Sequence, residues 1–287
     1  VDLPDPDAPI NAIAHAARTF AYDSEEAREK NVEAVRALNI HTRDEIENLY
    51  RAILKTAGDI MRYIADAQKK AETIAKMQNG LIVTLADLVE SRDQSTGEHI
   101  KNTSTYVEII CDELIEEGKF SDLLDEEFKN NVVSSAPMHD IGKIKISDTI
   151  LNKPGKFTDE EYEIMKTHAA EGAKIIASVK KTVEHKELKE NYLGEAENMA
   201  HYHHEKWNGQ GYPCGLKGEE IPLSARIMAV ADVFDALVSE RVYKPAMPFE
   251  KAMAIIRKDA GTHFDPVIAE AFLNAEDKIR AVTDKIH

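Results

Sequence analysis

Two side chains able to bind a metal stand next to each other in Met138-His139-Asp140-Ile141-Gly142-Lys143, followed by a glycine and a lysine. Neighbours on an ideal helix point about 100° apart, because the helix has 3.6 residues per turn. One buried site can therefore use both His139 and Asp140 only where a helix ends and the backbone turns. Ile141 and Gly142 suit such a turn, and Gly142 also lets the backbone approach a ligand closely. Five further candidate ligands, His99, His168, His203, His204 and Asp232, fall on inward faces or ends of helices read from the hydrophobic pattern. Singly, a helical histidine such as His99 or His168 is well explained as a hydrogen-bonded core residue, so the argument is collective. Seven groups are too many for one catalytic ion that must keep an open position. They suit two ions bridged by a carboxylate, and imidazole with carboxylate favours iron, manganese or zinc over calcium.

Two ions roughly 3.5–4 Å apart serve phosphoester cleavage, because they activate a bridging water and neutralise the phosphoryl oxygens. Lys143 stands one residue beyond the turn, where it can hydrogen-bond the phosphate or protonate the leaving oxygen. After His204 the chain reads Glu205-Lys206-Trp207-Asn208-Gly209-Gln210-Gly211-Tyr212-Pro213, a glycine-rich turn whose exit proline is fixed. It presents Trp207 and Tyr212 near the ligands, where a ring can stack on a base. The alternative for Trp207 is a packing anchor. Arg241 and Lys244, just past the Asp232 helix, are candidates for a distal phosphate, since guanidinium matches phosphate bidentately.

The elements that must position these residues are helices, with no convincing alternating strand from about 81 to 280. Residues 1–9 hold three prolines and three aspartates and read as an extended lead-in. Residues 10–40 read as two short helices, with Ser24 an N-cap for the second. From Thr42 to Glu90 one long helix is expected. Ile46, Ile53, Ile60, Ala67, Ile74, Leu81 and Leu88 recur every seven residues, flanked by Leu49, Tyr50, Ala57, Ile64, Ala71, Met77 and Leu85. That seam suggests a parallel dimer stalk over residues 43–90, against the alternative of a helix packed on its own domain. Gly80 marks its hand-over, giving an N-terminal segment 1–80 and a second domain 81–287. Further on, helices are expected over Glu98–Glu116, 125–138, from the Thr158/Glu161 capping box with Ile164, Met165, His168, Gly172 and Ile175 inward, over 195–204, from a Ser224 cap to Ser239, and after Asp265-Pro266.

Composition limits the function. The chain has 287 residues, 43% of them apolar, a formal charge of −16 and two cysteines. Such acidity argues against a double-stranded nucleic-acid binder, which carries a basic face. Cys111 and Cys214 fit neither a disulfide framework nor a zinc knuckle, which favours a reducing, cytoplasmic compartment. No apolar run approaches the roughly 18 residues of a membrane span, so tethering to a membrane would need a segment upstream of Val1.

The motifs HDIGKIKISDTILNKPGKFTDEEYEIMKTH, HHEKWNGQGYP, ARIMAVADVFDALVSERVYK and GTHFDP, spread over about 81–275, resemble the HD-GYP cyclic-dinucleotide phosphodiesterases. The resemblance implies an all-α HD-type helical bundle. It implies hydrolysis of the 3′–5′ phosphodiester of cyclic di-GMP to pGpG and onward to GMP, by a metal-bridging hydroxide with Lys143 assisting. Iron, or alternatively manganese, is the implied metal. His99, His139, Asp140 and Asp232 match the general ligand quartet with Asp140 bridging, His168, His203 and His204 the second metal's ligands, and Gly211, Tyr212 and Pro213 the substrate-side loop. Family members with a third metal carry a glutamate four residues before the first histidine. Ser95 stands there in this chain, so two metals per chain are expected. A signalling scaffold without turnover and a mononucleotide phosphohydrolase are the competing readings. Intact ligands argue against the first, and the HHE and GYP segments against the second.

Overall fold

The computed structural model describes residues 10–11, 14–15, 25–41, 43–93, 98–183, 191–240 and 246–284. Ser24, Ser95, Arg241 and Lys244 lie outside the described residues. Those described are helical, apart from turns and one isolated bridge between Ala260 and Phe264. The all-α expectation holds.

The chain divides into two compact units, Val1–Gln78 and Asn79–His287. In the first, α1 (Glu25–Ala37) and the start of α2 (Glu45–Glu90) enclose a small core of Val35, Ile40 and Tyr50, with Ile46 and Ile53 against it. The Tyr50 hydroxyl donates to the Arg36 carbonyl at 3.0 Å. Helix α2 runs unbroken through Gly58 and Gly80, since glycine costs a helix only about 1 kcal/mol against alanine. Beyond Tyr50 its heptad residues Ile60, Ile74, Leu81 and Leu88 are exposed on this chain.

The second unit is built around α8 (Leu223–Val238), which is buried on nearly every side. Its sequence LSARIMAVADVFDALV is mostly apolar, as suits a central helix, and its polar residues Ser224, Arg226 and Asp235 are paired inside. Phe234 packs edge-on against Tyr106 of α3 (His99–Glu116) at 5.3 Å and against Phe272 of α10 (Pro266–Asn274) at 4.8 Å. α4 (Glu126–Ser135), α9 (Phe249–Asp259) and α11 (Glu276–Thr283) complete this core. A second cluster of Ile176, Leu193, Ala196 and Ala200 joins α6 (Asp159–Thr182) to α7 (Tyr192–Tyr202). The short α5 (Asp148–Leu151) packs against α6.

Local chemistry sets the element ends. Asp125 caps α4 by accepting from the Phe128 amide, and the Thr158/Glu161 capping box is present. Asp265 caps α10 with Pro266 at its first position. Two expectations need correction. Ser224 is not a cap: the helix starts at Leu223 after Pro222, and the Ser224 hydroxyl donates to Glu195 at 2.5 Å from inside it. The buried face of α6 is His168, Ala169, Gly172, Ala173 and Ile176, while Ile164 is exposed. Small residues are wanted inward there because a neighbouring backbone comes close.

That backbone belongs to the tight turn carrying the His-Asp pair. α4 ends at Ser135, Pro137 forces a 3₁₀ turn over Ala136–Met138, and a second 3₁₀ turn covers Ile141–Lys145. A Cβ on Gly142 would drive into the His168 carbonyl and lie 2.5 Å from the Gly172 amide nitrogen. Gly142 thus permits close approach to a helix rather than to a ligand. Gly142→Ala should lower unfolding free energy by roughly 2–4 kcal/mol, as overpacking against rigid backbone does. A urea midpoint equal to that of the parent chain would show the turn free to move off α6.

Candidate metal centre

Seven side chains from five segments converge at the seam of the two layers. His99 comes from the first turn of α3, His139 and Asp140 from between the 3₁₀ turns, and His168 from mid-α6. His203 and His204 follow α7, and Asp232 lies on α8. They form two groups whose donor atoms lie within 4.8 Å of one another: Asp140, His168, His203 and His204, and His99, His139 and Asp232.

The rings are held by one nitrogen and present the other. Nδ1 of His139, His168 and His203 contacts the carbonyl of Ala136, Met165 and Met199 at 2.9, 2.7 and 2.8 Å. Nδ1 of His99 lies 2.6 Å from Oδ2 of Asp235, which also accepts from Ser239 at 3.1 Å. A ring that donates from Nδ1 turns the Nε2 lone pair to the centre, the arrangement metal-bound histidines share.

Those Nε2 atoms meet the carboxylates. His168 and His203 stand 3.2 and 3.5 Å from Oδ1 of Asp140, while His139 stands 3.5 Å from Oδ2. One carboxylate therefore shows a different oxygen to each group. His99 and His139 lie 3.6 and 3.9 Å from Oδ1 of Asp232. Nε2 of His168 and His204 face each other at 3.1 Å. Nε2 of His139, Nε2 of His203 and Oδ1 of Asp140 are buried without a hydrogen-bond partner. Burying such atoms unpaired costs about 1–3 kcal/mol each. Donors bonded to one ion at about 2.0–2.2 Å stand roughly 3–3.5 Å apart, so the residues fit two cations.

Electrostatics agree. Burial raises the Asp140 carboxyl, but Lys143 and His139 outweigh it and hold the group well below the usual carboxylate range. For Asp232 burial is likewise overcome, by His139 and His99, and the shift is downward. Burial pulls His139 down to about 4. His99 is buried as well, yet the Asp235 hydrogen bond with Glu90 and Asp232 carries it up to about 9. His204 is driven down by burial, then by His203 and His168. The centre thus holds two ionised carboxylates among imidazoles of opposed tendency.

The other predicted residues separate. Lys143 Nζ reaches Oδ2 of Asp140 at 2.7 Å. Tyr212 lies against His204, ring centres 4.7 Å apart, with Tyr162 of α6 edge-on to it at 6.4 Å and Lys166 facing both rings. Trp207 does not join them. Its amide donates to the His263 carbonyl at 2.9 Å and its ring packs on the Arg226 guanidinium, which pairs with Asp265 at 2.7 Å. Trp207 is the packing anchor.

Sequence reasoning gave no role to Glu205 or Asp235. The buried Glu205 carboxylate accepts from the amides of Cys214, Gly215 and Leu216 at 2.7, 3.0 and 3.1 Å, pinning the loop that carries Tyr212. Gly211 passes so close that a Cβ would strike the Glu205 backbone. Asp235 had a signal: it lies three residues after Asp232, on the same helical face. The motif GTHFDP also gains a meaning, since its turn accepts the amides of Trp207 and Asn208.

A family model described as an HD domain matches residues 83–268. The chain is 41% identical over 245 residues to a cyclic di-GMP phosphodiesterase of Vibrio cholerae, covering 85% of this chain and 48% of that protein. It is 36% identical over 202 residues to a 3′3′-cGAMP-specific phosphodiesterase 2 of the same organism, covering 70% and 35%. It is 30% identical over 277 residues to the cyclic di-GMP phosphodiesterase response regulator RpfG of Xanthomonas campestris, covering 96% and 67%. The chain spans about half the length of the first of these relatives.

Chelator-treated protein should regain thermal stability on adding Fe²⁺ or Mn²⁺. Asp235→Asn should weaken metal uptake about 10–100-fold, because His99 loses its orienting carboxylate. Equal uptake by both proteins in a metal titration would remove Asp235 from the centre.

Proposed function

The chain belongs to the HD domain family, and from that premise we propose that it hydrolyses the 3′–5′ phosphodiester of cyclic di-GMP to pGpG and onward to GMP. The observation that carries this is Asp140: its oxygens face two separate donor groups, and Lys143 Nζ stands 2.7 Å from one of them. His99, His139 and Asp232 would hold one ion, and His168, His203 and His204 the other, with Asp140 shared. Iron or manganese suits this donor set, and two ions per chain are proposed. Bound there, they would supply Lewis acidity to the phosphoryl oxygens and make an attacking water more acidic.

The chain's own groups do the remainder. Lys143 is held by Asp140 within reach of the ligands, so its ammonium can steady a phosphate oxygen or give a proton to the departing sugar oxygen. Tyr212, pinned through Glu205 beside His204, offers a ring to a base next to the cleaved phosphate. Tyr162 and Lys166 extend that surface outward. Arg241 and Lys244 remain proposed contacts to the second phosphate. A homodimer through residues 43–90 is proposed, and the exposed apolar residues Ile60, Ile74, Leu81 and Leu88 of α2 support it. No described helix is long and apolar enough to cross a membrane, and a cytoplasmic site of action is proposed.

Protein purified without oxygen should release pGpG or GMP from cyclic di-GMP while carrying about two metals per chain. Lys143→Ala should keep the metals and lose about 10²-fold or more in kcat. A metal-loaded parent chain that binds cyclic dinucleotides and turns none over would be a signalling scaffold. Faster turnover of 3′3′-cGAMP than of cyclic di-GMP would move the substrate assignment.

A further inference from the structure

We propose that Arg92 is the positioning residue for Lys143, and that through it the end of helix α2 sets where the lysine stands against Asp140. This rests on the phosphodiesterase reading of the site. Arg92 lies in the 3₁₀ turn Ser91–Asp93, directly after α2. Its guanidinium donates to the backbone carbonyls of Lys143, Ile144 and Ile146 at 3.4, 3.2 and 3.1 Å. It also holds the Asp148 carboxylate at 2.6 and 3.2 Å. All four acceptors belong to the short stretch from which the Lys143 side chain rises to Asp140.

A guanidinium presents five donors in one rigid plane, so it fixes several carbonyls relative to each other. A lysine at position 92 has the charge without the fork. The Asp148 side chain is 71% exposed, so the ion pair contributes little and the carbonyl bonds carry the constraint. Two residues earlier, Glu90 ends α2, buried, with Oε1 3.5 Å from Nε2 of His99. The end of one helix therefore touches the site on both sides, at a ligand and at the catalytic lysine's backbone. A shift or rotation of α2 would move Arg92, and with it the turn.

The experiment compares the parent chain with Arg92→Lys, Arg92→Gln and Asp148→Asn. It measures cyclic di-GMP kinetics, metal per chain, and hydrogen exchange at the Lys143 and Ile146 amides, which are bonded to the Asp140 and Lys143 carbonyls. Both Arg92 variants should lose about 10- to 100-fold in kcat, since a misplacement near 1 Å can cost about 10²-fold. KM and metal content should stay at parent values and exchange at the two amides should quicken. Asp148→Asn should stay within about twofold of the parent, the carbonyl bonds being intact. Unchanged kcat and exchange in the Arg92 variants overturn the proposal. So does a loss of metal that accounts for the loss of kcat, which would make Arg92 a general structural tie. If the parent chain cleaves no cyclic dinucleotide, the reading of the site fails, and exchange alone decides whether Arg92 holds the turn.

Discussion

Two partly buried aspartates among imidazoles are the constraint to which the rest of this unit answers. Ionised carboxylates removed from water cost several kcal/mol each unless opposite charge and hydrogen bonds surround them. Asp140 meets this with Lys143 on one oxygen and imidazole nitrogens on both. Asp232 meets it with His99 and His139. Neither set is wholly local in sequence. The fold therefore brings together the start of α3, the turn after α4, the middle of α6, the end of α7 and the middle of α8. The small residues of α6 follow from the same need, because Gly142 and Gly172 let the Asp140 turn lie close on that helix.

Holding the donors in place falls to a surrounding layer of backbone carbonyls and carboxylates. Three backbone carbonyls and Asp235 fix the ring nitrogens, Glu205 fixes the loop beyond His204, and the Ala260–Phe264 turn anchors Trp207. The carbonyls that hold His139, His168 and His203 lie three or four residues earlier, at the inner ends of the same helical turns. A histidine placed at such a position is oriented by its own helix. His99 begins its helix, and a carboxylate from another helix, Asp235, serves it.

Much of this was legible in the sequence, and the limits have physical causes. The cluster of donor side chains could be read because inward-facing histidines are costly without a partner, so their placement on helical faces carries information. The long helix could be read from a period of seven. Caps at Thr158 and Asp265 could be read because their chemistry is local. Ser224 misled because a serine before an apolar run resembles a cap, while Pro222 set the cap two residues earlier. The inward face of α6 was misjudged by one position because hydrophobicity was followed where backbone approach favoured alanine and glycine. Trp207 was placed beside the ligands on proximity in sequence to His204. Its actual partner, Arg226, follows in the chain and pairs with Asp265, a relation fixed only by tertiary packing.

The charge balance sharpens what the centre must do. A chain of formal charge −16 repels an anionic substrate at long range. At physiological salt, charges more than about 8 Å apart are largely screened. Attraction must therefore be generated within the site itself, over the last few ångströms. Among the described residues the cations at hand there are Lys143, held by Asp140, and Lys166, set between Tyr162 and Tyr212. Two lysines beside two ionised carboxylates leave little net positive charge for the cyclic dinucleotide proposed as substrate. Two divalent cations would change that balance, because their four charges exceed the two that Asp140 and Asp232 supply, the other five donors being imidazoles. On the proposed reading, a centre of mostly imidazole donors leaves more of the cations' charge uncancelled for an anion than a cage of carboxylates would.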